Sequence, residues 1–239
     1  MSARHDIGRT REWMRDGEQF AAATLRQIPD AELYVPSLLP GWSRAHVIGH
    51  LARNAEALTR LAAWARTGVE TPMYRDREQR AAEIQAASAV PADVLRRGLD
   101  RTTEELERAL DALDGQSWHA QVRSALGRTI PAAEIPWMRV REVWLHTVDL
   151  DADASLADLP AEVVDALLDD VTATLSARDG CPTIRLEPTD RDRHWQLGPG
   201  DGAVARSTAA ELLGWLTGRD RHGRITSPDG RLPVVPRWL

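Results

Sequence analysis

Two pairs of side chains in this 239-residue sequence have the spacing that chemistry on a helix requires. His46 and His50 are four positions apart, and so are Glu142 and His146. Residues four apart lie on one face of an α-helix, so each pair can direct two side chains at a single point. Two imidazoles and a carboxylate form the ligand set of a catalytic zinc site, whose fourth position holds water or substrate. A His-His-Glu set drawn from three of these four residues therefore predicts metal binding.

The same pairs also have a purely structural interpretation, because a glutamate and a histidine four apart make an ordinary helix-surface pair. Spacing alone leaves both interpretations open. Placement within the helices favours chemistry, since His50 borders the apolar face of its helix and Glu142 and His146 adjoin an apolar strip. His46 instead lies in the first turn, behind the capping residue Ser43. Placement therefore prefers His50 over His46 as a ligand in a bundle-core site.

The first 150 residues have the hydrophobic periodicity of helices. The predicted helices span residues 6–28, 44–65, 76–87, 91–113 and 137–149, with a short hairpin around 124–128. The sequence therefore predicts an all-α bundle, assigned to residues 1–152, and the metal site is expected on it.

An acidic stretch at 151–160 reads as a linker, and the pattern changes after it. A helix is predicted over 161–177, and alternation of period two predicts strands at 183–187 and 194–197. Thr208 and Glu211 then have capping-box spacing ahead of a final helix. The predicted fold class is α+β overall, with a smaller α+β domain over 153–239 that contributes to the substrate and thiol cleft.

Composition excludes several classes of protein. Thirty basic residues face 36 acidic ones, and the net charge of −6 argues against a nucleic-acid partner. The single cysteine, Cys181, excludes an internal disulfide and a cysteine-rich zinc site. Because no apolar run has the length of a membrane span and the N-terminus lacks a signal core, we expect a cytoplasmic globular protein without a membrane partner. A monomer is the expected state.

Several segments of the chain resemble the mycothiol-dependent maleylpyruvate isomerases. They are residues 41–55 (GWSRAHVIGHLARNA), 67–74 (TGVETPMY), 137–150 (WMRVREVWLHTVDL) and the ending 236–239 (PRWL). The resemblance covers both halves of the chain and goes well beyond the scattered histidines shared across the DinB-like superfamily. It implies a DinB-like four-helix bundle followed by a C-terminal α+β domain.

The resemblance also assigns site residues. It implies a zinc ion held by His50, Glu142 and His146, and leaves the other histidine of the first pair as a supporting or incidental residue. Two arginines of the family that bind the carboxylates of the substrate fall on Arg80 and Arg219. The implied cofactors are one Zn²⁺ per chain and mycothiol, and the implied substrate is a small diacid of the gentisate pathway.

The chemistry of that substrate agrees with these parts. Maleylpyruvate has a cis double bond conjugated to carbonyl groups, and the bond rotates only after a nucleophile has added to it; elimination then gives fumarylpyruvate. Cys181 precedes Pro182 at a turn and is an unconvincing nucleophile, so a cofactor thiol is expected. Zinc can lower the pKa of a thiol or polarise a substrate oxygen, and we favour the first. Guanidinium groups suit carboxylates and developing enolate charge.

Two other functions fit parts of the pattern. A mycothiol S-transferase acting on another electrophile would keep the three zinc ligands but would need neither arginine for a diacid. A non-catalytic metal-binding protein of the DinB-like fold would have an incomplete ligand set or four protein ligands. The motif around Tyr74 and the two arginines favours the isomerase, and the complete three-ligand set argues against the non-catalytic protein.

Overall fold

The chain folds into two units that divide after Ala154. The computed structural model describes residues 3–220 and 223–238, so Leu239, the last residue of the matched ending, lies outside it. No helix among the described residues has the length and the apolar character needed to cross a membrane.

The N-terminal unit contains six α-helices and one hairpin within the described residues. These elements are α1 (Ile7–Gln27), α2 (Arg44–Thr67), α3 (Arg77–Ser88), α4 (Ala92–Asp111), α5 (Gly115–His119), β1 (Gln121–Arg123), β2 (Thr129–Pro131) and α6 (Ile135–Asp149). The four long helices α1, α2, α4 and α6 form a bundle in which α2 packs on both α4 and α6 and α1 packs on α6. Helix α3 packs on the outside of α2.

Local signals fix the ends of α2, the helix that carries both histidines of the first pair. The Ser43 side chain accepts from the His46 backbone, and the His46 ring accepts from the Ser43 N–H at 3.2 Å, so a histidine completes the capping box. At the other end, Gly68 has a φ of 73°, a left-handed conformation that favours glycine. The cap predicted at Ser43 is confirmed.

The stretch after α4 is more regular than the sequence indicates. Residues 115–119, for which the sequence predicted no helix, form the short helix α5. The side chain of Asp114 caps its N-terminus by accepting from the Ser117 N–H at 2.8 Å. The predicted hairpin is present, with Val122 paired to Ile130 and both side chains buried.

The C-terminal unit combines two helices with a three-stranded sheet. Its elements are α7 (Ala161–Ser176), β3 (Ile184–Pro188), β4 (Trp195–Leu197), β5 (Ala203–Ser207) and α8 (Ala209–Leu216). Strand β3 is central, antiparallel to β4 and parallel to β5. The sequence did not predict β5, because its small residues give little alternation. The capping box of Thr208 and Glu211 at α8 is confirmed.

Arg139 is a deeply buried charge of the bundle, with 1% of its surface exposed. From α6 its guanidinium donates to the Leu51 carbonyl at 2.8 Å and to Asn54 Oδ1 at 3.1 Å, both on α2. It also donates to Glu18 Oε1 of α1 at 3.1 Å and to Thr103 Oγ1 of α4 at 3.3 Å. One side chain therefore joins all four helices of the bundle.

We expect Arg139→Met to lower the free energy of unfolding by about 3–5 kcal/mol, because the Glu18 carboxylate then stays buried without its cation. Urea denaturation followed by circular dichroism measures the loss. The double variant Glu18→Gln/Arg139→Met should recover part of it. A loss in the single variant of less than about 1 kcal/mol, the value of a surface ion pair, would contradict this account.

Candidate metal centre

The structure brings His50, Glu142 and His146 together between α2 and α6. His50 Nε2 lies 2.8 Å from Glu142 Oε2, and His146 Nε2 lies 3.2 Å from the same oxygen. The two imidazole rings are nearly perpendicular, with centroids 4.7 Å apart. One ligand atom from each residue falls within 4.8 Å of the others. The four-residue spacing places Glu142 and His146 on one face of α6, and the packing of α2 against α6 brings His50 to the same cluster.

The electrostatics of the cluster suit a cation. Burial lowers the pKa of His50, which keeps its imidazole neutral. Burial would raise the pKa of Glu142, but the two histidines beside it lower that pKa well below its usual range. Burial would likewise lower the pKa of His146, yet hydrogen bonds to two carboxylates raise it. The cluster therefore holds an ionised carboxylate between two imidazoles.

The donor atoms fit zinc in kind and in separation. Zinc binds imidazole nitrogen and carboxylate oxygen at about 2.0–2.2 Å, so neighbouring ligand atoms of a tetrahedral site lie about 3.4 Å apart. The separations of 2.8 and 3.2 Å from Glu142 to the two histidines lie close to that value. Three protein donors leave one position for an exchangeable ligand, as catalytic zinc sites do.

Asp149, at the end of α6, supports His146. Its Oδ2 lies 2.8 Å from His146 Nδ1, and the aspartate is fully buried. A carboxylate on one ring nitrogen fixes the tautomer and directs the other nitrogen toward a metal. Sequence reasoning missed this residue, although an acid three positions after a histidine on a helix was the available signal.

His46, the alternative ligand of the first pair, has other partners. Its Nδ1 bonds with Ser43 in the helix cap, and its Nε2 lies 3.2 Å from Gln85 Oε1. Its ring stacks on Trp42, with centroids 6.2 Å apart. The structure thus places His46 outside the cluster and gives it a role in starting α2.

Arg80, on α3, reaches the cluster. Its Nη2 lies 3.3 Å from His50 Nδ1, and its guanidinium carbon lies 5.8 Å from the centre of the Tyr74 ring. Burial raises the pKa of Tyr74, so this phenol stays protonated and can donate a hydrogen bond. Sequence reasoning used Tyr74 as part of a motif without giving it a role.

Arg219 belongs to the C-terminal unit, where it follows α8. Gly218, with a φ of 74°, ends that helix, and the Arg219 side chain donates to the Thr217 carbonyl at 3.1 Å. Its role toward a substrate stays a prediction. Cys181 lies in the same unit, and burial raises the pKa of its thiol, which disfavours a thiolate at this position.

The fold and the cluster define a four-helix-bundle protein with a His-Glu-His set on facing helices, joined to an α+β unit. The family models that match are the mycothiol maleylpyruvate isomerase N-terminal domain, over residues 14–151, and the MDMPI C-terminal domain, over 158–237. The chain therefore belongs to the mycothiol maleylpyruvate isomerase family, and the family predicted from the sequence is confirmed.

Solved structures agree with this assignment. The chain is similar to the mycothiol-dependent maleylpyruvate isomerase, with 35% identity, a TM-score of 0.92 and 100% of both chains covered. A histidine-to-alanine mutant of that isomerase matches with 34% identity, a TM-score of 0.91 and 100% of both chains covered. A search of curated proteins finds no match.

A more distant structure shares the fold alone. YfiT from Bacillus subtilis, a four-helix bundle of unusual topology, matches with 17% identity and a TM-score of 0.50, covering 60% of this chain and 85% of its own. The predicted fold class, α+β overall with a DinB-like four-helix bundle, is confirmed.

We expect His50→Gln to abolish stoichiometric zinc binding, because the glutamine side chain replaces an imidazole donor with a weak amide ligand. The matched control is His46→Gln, which preserves the capping box, since glutamine is a natural residue at that position of the motif. Zinc per chain is measured by mass spectrometry after dialysis. Loss of zinc in the control and retention in His50→Gln would reverse the assignment of the two histidines.

We expect Asp149→Asn to weaken zinc binding about 10–100-fold, since it removes the charge behind His146 while keeping the size of the side chain. Competition with a chromogenic chelator measures the affinity, and thermal unfolding of the metal-free variant checks that the fold is intact. Wild-type affinity in a folded Asp149→Asn protein would show that the carboxylate does not support the ligand.

Proposed function

We propose that this protein is a mycothiol-dependent maleylpyruvate isomerase, which converts maleylpyruvate to fumarylpyruvate in the gentisate pathway of aromatic degradation. The observation that carries the proposal is the likeness to the isomerase structure over the whole of both chains, at 35% identity. The His-Glu-His cluster supports it, because the reaction needs a site that activates a nucleophile.

In this proposal zinc is the metal, held by His50, Glu142 and His146. Bound there, zinc supplies a Lewis acid that lowers the pKa of a thiol in its open position. The residues of the chain prepare the site: His50 is neutral, Glu142 contributes the negative charge, and Asp149 orients His146. Because the side chain of His50 is only 3% exposed, bulk water has little access to this side of the cluster.

Mycothiol supplies the thiolate whose reversible addition makes rotation about the double bond possible. The chain itself has no suitable thiol, since Cys181 lies in the C-terminal unit with a raised pKa. An external thiol is therefore consistent with the residues present.

Arg80 is the residue best placed to hold the substrate. Its guanidinium lies at the cluster, where it can form a bidentate pair with a carboxylate and stabilise negative charge that develops on a neighbouring oxygen. Arg219 is proposed to bind the second carboxylate of the diacid. Four expectations from the sequence stay predictions: that the C-terminal domain contributes to the cleft, that the domain boundary lies at 152, that the protein is a monomer, and that it is cytoplasmic.

We expect the zinc-loaded wild type to consume maleylpyruvate only when mycothiol is present, and Arg80→Gln to lower kcat/KM about 100-fold while zinc content stays the same. Loss of maleylpyruvate absorbance measures the rate. The control for the lost charge is Arg97→Gln, which replaces an exposed arginine of α4 that pairs with Asp93.

The outcome separates the candidate functions. Zinc binding without turnover of maleylpyruvate, together with mycothiol-dependent consumption of another electrophile, would support an S-transferase. Zinc binding with no thiol-dependent reaction at all would support a non-catalytic metal-binding protein.

A further inference from the structure

A cavity of about 340 Å³ lies in the N-terminal unit, with Arg80 among its lining residues. Its walls come from the end of α2, the segment between α2 and α3, the start of α3, and the β1–β2 hairpin. The residues that matter here are Trp64, Glu70, Tyr74, Arg80 and Arg123. Neither sequence reasoning nor the proposed zinc site assigns a ligand to this cavity.

Arg80 connects the cavity to the metal cluster. It lines the cavity, and its Nη2 lies 3.3 Å from His50 Nδ1. Tyr74, the second lining residue near the cluster, lies with its ring 5.8 Å from the Arg80 guanidinium. A ligand whose reactive end is at the cluster can therefore extend past Arg80 into the cavity.

The lining offers both hydrogen-bond donors and acceptors next to aromatic surfaces. Arg123 pairs with Glu70 at 3.6 Å, and Arg75 pairs with Asp76 at 2.8 Å, so two carboxylates accompany the guanidinium groups. Arg77 and Arg80 also line the cavity, so guanidinium groups outnumber carboxylates, and the test below therefore includes the diacid as the alternative occupant. A neutral polyol suits such a lining, because its hydroxyls both donate and accept while its C–H faces pack on aromatic rings.

The wall of the cavity is held in place by the bundle. Arg60, on α2, donates through Nε to the Met73 carbonyl at 3.0 Å, and the Met73 side chain is buried. The hairpin on the opposite side is fixed by the buried Val122 and Ile130 pair. A pre-formed wall reduces the entropy cost of binding a flexible ligand.

We propose that this cavity binds the sugar portion of mycothiol, with the thiol directed past Arg80 toward His50, Glu142 and His146; this inference rests on the proposed function. Trp64 and Tyr74 pack against the sugar rings, and the Glu70–Arg123 pair bonds the hydroxyls. The cavity thus distinguishes mycothiol from smaller thiols.

The test compares mycothiol with N-acetylcysteine, a thiol that lacks the sugar, in the zinc-loaded enzyme. We expect Trp64→Leu, and separately the double variant Glu70→Gln/Arg123→Gln, to raise KM for mycothiol about tenfold. The ratio of kcat/KM for mycothiol to that for N-acetylcysteine should fall by about the same factor. Glu70 and Arg123 are both more than half exposed, so their replacement preserves the fold. Arg97→Gln, far from the cavity in sequence and exposed, is the charge control.

An unchanged ratio of the two kcat/KM values in both variants would overturn the proposal. A rise in KM for maleylpyruvate alone would also overturn it, because that result would assign the cavity to the diacid.

Calorimetry with the sulfur-free glucosaminyl-inositol separates this inference from the proposed function, since it needs no turnover. If the wild type binds the glycoside and the variants bind it about tenfold more weakly, the cavity assignment holds even without isomerase activity. If the wild type does not bind it at all, the assignment is wrong even in an active isomerase.

Discussion

The carboxylate of Glu142, ionised between two imidazoles in a half-buried position of the bundle, is the constraint on which the rest of the N-terminal unit depends. A buried charge is costly unless its partners stand at hydrogen-bond distance. One partner, His146, is on the same helix, but His50 comes from α2. The position of α2 along α6 must therefore be fixed to within a fraction of a turn, and a metal would impose the same requirement on the same atoms.

Polar contacts on either side of the cluster supply that register. Arg139 lies one turn before Glu142 on α6 and bonds to Leu51 and Asn54, which lie beside and one turn beyond His50 on α2. Near the other end of the contact, Arg44 Nε at the start of α2 donates to the Leu150 carbonyl just after α6, at 2.7 Å. The two helices are thus joined on both sides of the ligand set, and neither can slide without breaking a buried polar contact.

The same arrangement brings α3 within reach of the site. Gly49, beside His50, faces α3 so closely that a Cβ there would stand 2.9 Å from the Cβ of Ala87. The absence of a side chain at this position allows α3 to approach α2, and Arg80 on α3 then reaches His50. Under the proposed function, a metal ion at the cluster and the guanidinium beside it would give the site two positive groups, one for a nucleophile and one for a carboxylate.

The sequence by itself determined the elements and most of the ligand set. The hydrophobic period located α2, together with the Ser43 cap and Gly68. The four-residue spacings selected four candidate ligands, because residues four apart share a helix face whatever the rest of the fold: His46, His50, Glu142 and His146. Spacing could not choose between His46 and His50, and it gave no role to Asp149 or Tyr74 and no signal for β5. Those assignments depend on which faces of separate elements meet and which ring nitrogen finds a partner. Packing decides both, because it acts between residues that are far apart in the chain.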